Sequence, residues 1–217
     1  MEDLFEEQNL ADFPRADDEL FPVNLSSTDH YYSAWMGTGP SDKFSMYAVG
    51  YYDGAVQLVN ACITTGHGLE YLVYPAVFLY RQYIELRLKE LISKLNYCLN
   101  ETTGFPHDHS IERLWNTFEA LFIAFDDQGR DEADFTNAKR IIRQFNSVDP
   151  GFAFRYPIDR QGNASLNMQY ISLSHFAEVM QRLANFLNAT IDYMEQYVDM
   201  ADEMRRDFYS EIQREYM

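Results

Sequence analysis

The longest stretch of this 217-residue chain without glycine or proline runs from Asn163 to its last residue, Met217. Glycine and proline interrupt helices more readily than other residues. Within the stretch, apolar side chains recur every three or four residues, as on one face of a helix. They are Phe176, Met180, Leu183, Phe186, Leu187, Ile191, Met194 and Val198. Residues 172–215 are therefore predicted to form either one long helix or two helices in series.

A second long helical pattern covers residues 69–99, where Pro75 predicts either a kink or the true start of the helix. Beyond it an apolar stripe consists of Val77, Tyr80, Ile84, Leu88 and Leu91. A polar line with i, i+4, i+8 spacing consists of Arg81, Glu85 and Lys89. Three further helices are predicted, after Ser41, after Ser110 and after Asp131.

Residues 150–170 break the helical pattern. Phe152, Phe154 and Tyr156 alternate, and a turn-like sequence follows at 159–162, so a small β-hairpin is predicted there. The predicted fold is all-α: a bundle of five or six helices with long antiparallel helices and this one insertion. A chain of this size buries about 70% of its unfolded surface and needs no metal or disulfide to fold.

Charge and composition exclude several classes of protein. The chain has 34 acidic and 17 basic residues, a net charge of −17, which opposes a general, sequence-independent grip on nucleic acid. No apolar run reaches about 18 residues, so no membrane span is predicted. The two cysteines, Cys62 and Cys98, are expected to be reduced. Together with the acidic start, which is unlike a secretory or mitochondrial leader, they predict a cytoplasmic protein.

Residues 1–42 are predicted to be an acidic N-terminal arm, and residues 43–217 the helical domain. The arm is rich in aromatic residues, namely Phe5, Phe13, Phe21, Tyr31, Tyr32 and Trp35. We expect it to lie across the domain and bury these rings. The alternative is that it is disordered or binds a partner protein.

Sequence motifs for well-known chemistry are absent. The chain has no Gly-rich phosphate loop, no HExxH, no CxxC and no nucleophile elbow, which excludes P-loop NTPases, Rossmann dehydrogenases, zincins and ordinary serine hydrolases. The sequence His107-Asp108-His109 precedes a predicted helix. It fits helix capping, a catalytic or phosphate contact, or, least well, a metal site. No cofactor and no metal is predicted.

Basic residues are concentrated in one region. Between residues 139 and 160 there are five, Lys139, Arg140, Arg143, Arg155 and Arg160, against two aspartates. Together with Arg81, Arg87 and Lys89 they would form a pocket for a compact anion. The alternative is that they pair with the abundant acids.

Three blocks of sequence carry a resemblance to a known family: YLVYPAVFLYRQYIELRLKELI, HDHSIERLW and FAFRYPID. In this order and spacing, over residues 46–195, the chain resembles small bacterial helical proteins of the HEPN (higher eukaryotes and prokaryotes nucleotide-binding) type. The resemblance implies a helical bundle that dimerises along its long helices. It also implies either a metal-independent ribonuclease of a toxin–antitoxin, phage-defence or CRISPR system, or a non-catalytic binding module.

The chain departs from the catalytic pattern of that family, in which a histidine follows an arginine after four to six residues on one helix. No arginine here is followed by a histidine at that spacing, so the catalytic pair is not carried over. A site would have to be assembled in space. We expect its catalytic residues to be Arg81, His107 and His109, and its binding residues Glu85, Lys89, Arg143, Arg155 and Tyr156.

Two hypotheses about function result. The first is a homodimeric HEPN-like effector that binds RNA or a nucleotide in the basic pocket and cleaves RNA if it is catalytic. The second is a non-catalytic interaction protein whose acidic surface docks on a basic partner or mimics nucleic acid.

Overall fold

The structure is a computed structural model that describes residues 43–101, 107–126, 128, 129 and 131–215, with eight separate residues of the arm (13, 16, 20, 21, 31, 33, 34 and 36). The chain divides into two units, Met1–Gly39 and Pro40–Met217. Most arm residues lie outside the described part, including Phe5, Tyr32 and Trp35, whose burial was expected. Phe13, Phe21 and Tyr31 are described, and all three are exposed; that the arm lies across the domain stays a prediction.

The described part of the second unit contains five helices: α1 (Lys43–Thr65), α2 (Leu69–Cys98), α3 (Ile111–Asp126), α4 (Glu132–Val148) and α5 (Leu173–Glu215). The predicted all-α fold is confirmed. Residues 173–215 form one continuous helix, which settles the choice between one helix and two. None of these helices is both long and apolar enough to cross a membrane. Cys62 and Cys98 are free thiols.

Local chemistry explains where the helices begin and end. Gly66 and Gly68 have φ values of +68° and +84°, which only glycine adopts readily, and they separate α1 from α2. Pro75 lies inside α2 and does not mark its start. At α4, the Asp131 side chain accepts hydrogen bonds from the N–H groups of Ala133 and Asp134, a regular N-cap.

The core forms around α2, which packs against α1, α3 and α5. The apolar stripe predicted on α2 is buried, at Val77, Tyr80, Ile84, Leu88 and Leu91. Five of the eight residues of the stripe predicted on α5 are buried, namely Met180, Leu183, Leu187, Ile191 and Met194, whereas Phe176, Phe186 and Val198 are partly exposed. These stripes are therefore largely covered within one chain. Trp115 of α3 is completely buried, whereas Phe176 is half-buried at the edge of the core.

The segment between α4 and α5 differs from the prediction. The hairpin is reduced to a single antiparallel bridge between Ile158 and Ala164. The three alternating aromatic residues do not form a strand, because the N–H groups of Arg155 and Tyr156 both bond to the carbonyl of Phe152 in a tight turn. The segment thus follows the domain surface as a series of turns. Two of its first residues, Asp149 and Gly151, lie against Arg81 of α2.

Candidate functional site

Arg81 lies at the centre of a buried polar cluster on α2. Its guanidinium contacts three different parts of the chain: Nη1 is 3.1 Å from Glu85 Oε2, Nη2 donates to the His109 carbonyl at 2.6 Å, and Nε donates to the Asp149 carbonyl at 3.4 Å. Only 1% of the residue is exposed. Arg81 therefore ties α2 to the segments before α3 and after α4.

This position corrects the expectation for Arg81 in one respect. The contact with Glu85 is as expected, but the remaining donors face protein carbonyls rather than an open cleft. A guanidinium this deeply buried does not contact a ligand at the surface. Arg81 is thus a positioning residue. A positively charged side chain that contacts a ligand directly must lie elsewhere in the chain.

Glu85 is the anion that holds the cluster together. Its Oε1 accepts from Lys89 Nζ at 3.0 Å and lies 2.8 Å from His109 Nδ1, while its Oε2 contacts Arg81. Burial opposes ionisation of Glu85, but the hydrogen bonds and charges of Lys89 and His109 outweigh it and lower the pKa of Glu85. Glu85 is therefore a carboxylate at neutral pH. Glu85 and Lys89 were expected to bind a ligand, but both are buried and serve the cluster instead.

Asp149, completely buried after α4, forms the opposite wall of the cluster. Its Oδ1 accepts from the N–H groups of Gly151 at 2.8 Å and Ala153 at 2.9 Å, and its Oδ2 lies 3.7 Å from Arg81 Nε. Gly151 has a φ of +137°, and a Cβ there would lie 3.3 Å from Arg81 Nη2. The backbone at this point thus needs glycine both for its conformation and for its close approach to the guanidinium.

His109 is the point at which the cluster reaches solvent. Its side chain is 77% exposed, yet Nδ1 is held by the buried Glu85. Because an ionised carboxylate only accepts hydrogen bonds, Nδ1 must carry the proton, and the Nε2 of a neutral His109 presents its lone pair to solvent. A carboxylate behind a histidine fixes both its tautomer and its orientation, which suits the outer nitrogen to accept a proton.

Arg155 lies next to the cluster and is exposed. It donates from Nη2 to the carbonyl of Gly151, the residue whose α-carbon faces Arg81. Its guanidinium also lies over the rings of Phe78 and Tyr156, 5.8 Å from each centroid. Arg81, His109 and Arg155 are thus brought into one region, with Gly151 between the two arginines.

A shallow cavity of about 390 Å³ adjoins Arg155. It is lined by Tyr74, Ala153, Phe154, Arg155, Tyr156, Pro157, Ala164, Leu166 and Met168. Tyr74 and Tyr156 are both exposed. An arginine beside exposed aromatic rings is the combination on which unpaired nucleic-acid bases stack.

The other predicted site residues lie at different places. His107 is exposed, two residues before His109. Arg143 on α4 pairs with Glu112 on α3, with 3.0 Å between Nε and Oε1. Lys139 pairs with Glu119 in the same way. Arg143 and Lys139 therefore pair with acidic residues, which is the alternative to an anion pocket that the sequence left open.

Asp149, Gly151 and Tyr74 were not among the predicted site residues. The only sequence signal for the first two is Asp-Pro-Gly directly after a helix, which indicates a turn but not its contact with Arg81. Metal binding finds no support in the part of the chain that the structure describes: no three His, Cys, Asp or Glu side chains group there in a way that would hold an ion.

No protein-family model, curated protein or solved structure matches this chain. The resemblance to HEPN proteins therefore remains a prediction that depends on the three sequence blocks. What the chain does has to be inferred from the cluster and the surface beside it.

Proposed function

We propose that this chain is a HEPN-like protein of a bacterial defence or toxin–antitoxin system, and that it binds RNA or a nucleotide on the surface formed by His109, Arg155, Tyr156 and Tyr74. The observation that carries the proposal is the contact between Glu85 and the exposed His109, at one side of a buried cluster whose other side, at Gly151, contacts Arg155. A local surface of this kind binds a short segment even though the whole protein is acidic.

The chemistry that fits this surface is metal-independent RNA cleavage. His109 Nε2 removes the proton of a ribose 2′-hydroxyl, and the 2′ oxygen attacks the adjacent phosphorus. The bond from phosphorus to the 5′ oxygen breaks, the leaving oxygen takes a proton from water, and a 2′,3′-cyclic phosphate and a 5′-hydroxyl result. Arg155 would balance the extra charge of the phosphorane. Arg81 takes part only by holding Glu85 and the His109 backbone in place.

Replacing His109 with glutamine is expected to lower the cleavage rate of labelled single-stranded RNA in EDTA by at least about 100-fold, because the general base is lost. Binding of the RNA, measured by fluorescence anisotropy, should persist in His109→Gln and weaken in Arg155→Gln. The matched control is His67→Gln, since His67 is exposed in the turn between α1 and α2. A cleavage rate unchanged in His109→Gln would rule out this histidine as the base.

The second candidate function, a non-catalytic acidic interaction protein, is favoured by the burial of Arg81 and by the net charge of −17. Its binding surface would include the exposed carboxylates of α5, among them Asp192, Glu195 and Asp199. Absence of RNA binding by the parent protein at low salt, where attraction to phosphate is strongest, would favour this function.

The homodimer expected from the resemblance needs a different surface from the one first considered. The apolar stripes of the long helices α2 and α5 pack largely within one chain, so they do not supply the contact between two copies. Large apolar side chains are instead exposed near the end of α5, at Met200, Met204, Phe208, Tyr209 and Ile212. Residues 200–214 carry three arginines and four acids, so the local net charge is only −1. Two copies of an acidic chain would meet there with little repulsion, so we propose this face as the contact between them.

Replacing Phe208 with glutamate is expected to convert the protein from dimer to monomer at micromolar concentration, because it places a charge in the proposed contact. Light scattering measures the mass directly. The matched control is Met46→Glu on α1, which also alters an exposed apolar residue and should leave the dimer intact. A parent protein that is monomeric under these conditions would contradict the proposed contact.

A further inference from the structure

A cavity of about 310 Å³ lies between α4 and the first turns of α5. Val77 of α2 and residues of the 149–172 segment close it from the other sides. Its volume is at the lower end of the range for small-molecule sites. Its buried walls include Val77, Phe145, Phe154 and Met180. The space is therefore concave, apolar and built from three helices.

The described lining of the cavity contains no aspartate, glutamate, lysine or arginine. Its polar side chains, Gln144, Tyr170, Ser172 and His175, are exposed and therefore lie at the mouth. A charged ligand group drawn into such a space would lose its hydration without gaining a counter-charge. A hydrogen-bonding group at the mouth, in contrast, would meet donors and acceptors.

We propose that this cavity binds a neutral, mainly apolar small molecule with one hydrogen-bonding group, which it keeps at the mouth beside Ser172 and His175. An apolar cavity without polar groups in its depth holds water poorly and takes up apolar molecules. The proposal is independent of RNA binding, because none of the residues proposed to contact RNA is needed for it.

The cavity has a direct connection to the polar cluster. Val148 and Phe154 line it, and between them lie Asp149 and Gly151, which contact Arg81. A molecule in the cavity would therefore touch both ends of the segment that forms one wall of the cluster. Binding would stabilise that segment as well as the folded chain.

The test uses indole, which is neutral, mainly apolar and has one N–H group, and indole-3-carboxylate, which has the same ring system with a charge. Ligand-observed NMR and thermal unfolding of the full chain measure binding. Indole is expected to bind saturably and to raise the Tm, whereas indole-3-carboxylate should bind at least tenfold more weakly. Absence of indole binding, or equal binding of the two, would overturn the proposal.

Location is tested by filling the cavity. Val179 lines it, and Val179→Trp is expected to abolish indole binding. The matched control, Val49→Trp, makes the same change at a position on α1 that is 45% exposed, and it should retain binding. Circular dichroism checks the fold of each variant. If Val179→Trp does not fold, the smaller change Ile141→Phe, also in the lining, takes its place. Undiminished binding in the folded variant would show that indole binds elsewhere.

Discussion

Replacing Arg81 with methionine is expected to lower the free energy of unfolding by about 3–5 kcal/mol, the usual cost of removing one partner from a buried ion pair. Methionine fills much of the same space, so the loss is mainly electrostatic. It leaves the buried carboxylates of Glu85 and Asp149 without the guanidinium between them, and the His109 carbonyl without its donor. Urea unfolding should show a lower midpoint with an unchanged slope.

The matched control for this change is Arg113→Met. Arg113 pairs with Asp108, but its side chain is exposed, so the expected loss is below about 1 kcal/mol. Equal midpoints for Arg81→Met and Arg113→Met would show that the buried cluster contributes nothing to stability. The sequence placed Arg81 among the expected catalytic residues; because the side chain is buried, we expect its replacement to lower stability first.

Replacing Trp115 with alanine is expected to lower the free energy of unfolding by about 3–5 kcal/mol, because it empties the centre of the core. The ring packs edge-on against Phe118 and also contacts Phe135 and Phe186, which belong to two other helices. Among the residues that the structure describes, its Nε1 has no hydrogen-bond partner. The native protein therefore already carries the cost of that buried N–H group, and its removal offsets part of the loss.

Two further variants calibrate this result by urea unfolding. Phe176 belongs to the apolar stripe predicted from the sequence, but its ring is half-buried at the edge of the core, so we expect a smaller loss for Phe176→Ala than for Trp115→Ala. Tyr71→Ala removes an exposed ring and should change stability by only about 0.5 kcal/mol. A Trp115→Ala variant as stable as Tyr71→Ala would mean that α3 presents a different face to the core.

The helices were predictable from the sequence because each long one repeats its apolar residues at the helical period, and the buried stripes of α2 and α5 follow that period. The hairpin was not predictable. Alternation of Phe152, Phe154 and Tyr156 is typical of a strand. In the structure the same three residues belong to a turn in which two N–H groups bond to one carbonyl. Three residues are too few for a period to decide between the two.

The candidate site was predictable only in part, and the reason is distance along the chain. Arg81, Glu85 and Lys89 follow one another at four-residue steps, so helix geometry alone brings them together. His109 and Asp149 reach Arg81 across 28 and 68 residues. No local pattern encodes such contacts, nor does any local pattern distinguish a buried arginine from an exposed one when both lie beside a glutamate.

The length of α5 has a consequence for how the domain opens. Its 43 residues extend about 65 Å at the usual rise per residue, but Met194 is the last of them that is buried. Arg205 still contacts the end of α2 at Tyr97 and Asn100, and residues 206–214 are all exposed. A single helix therefore spans two regimes of amide hydrogen exchange. We expect the amide hydrogens of its first half to exchange only when the whole core opens. In the monomer, those of its last turns exchange when the end of the helix frays on its own.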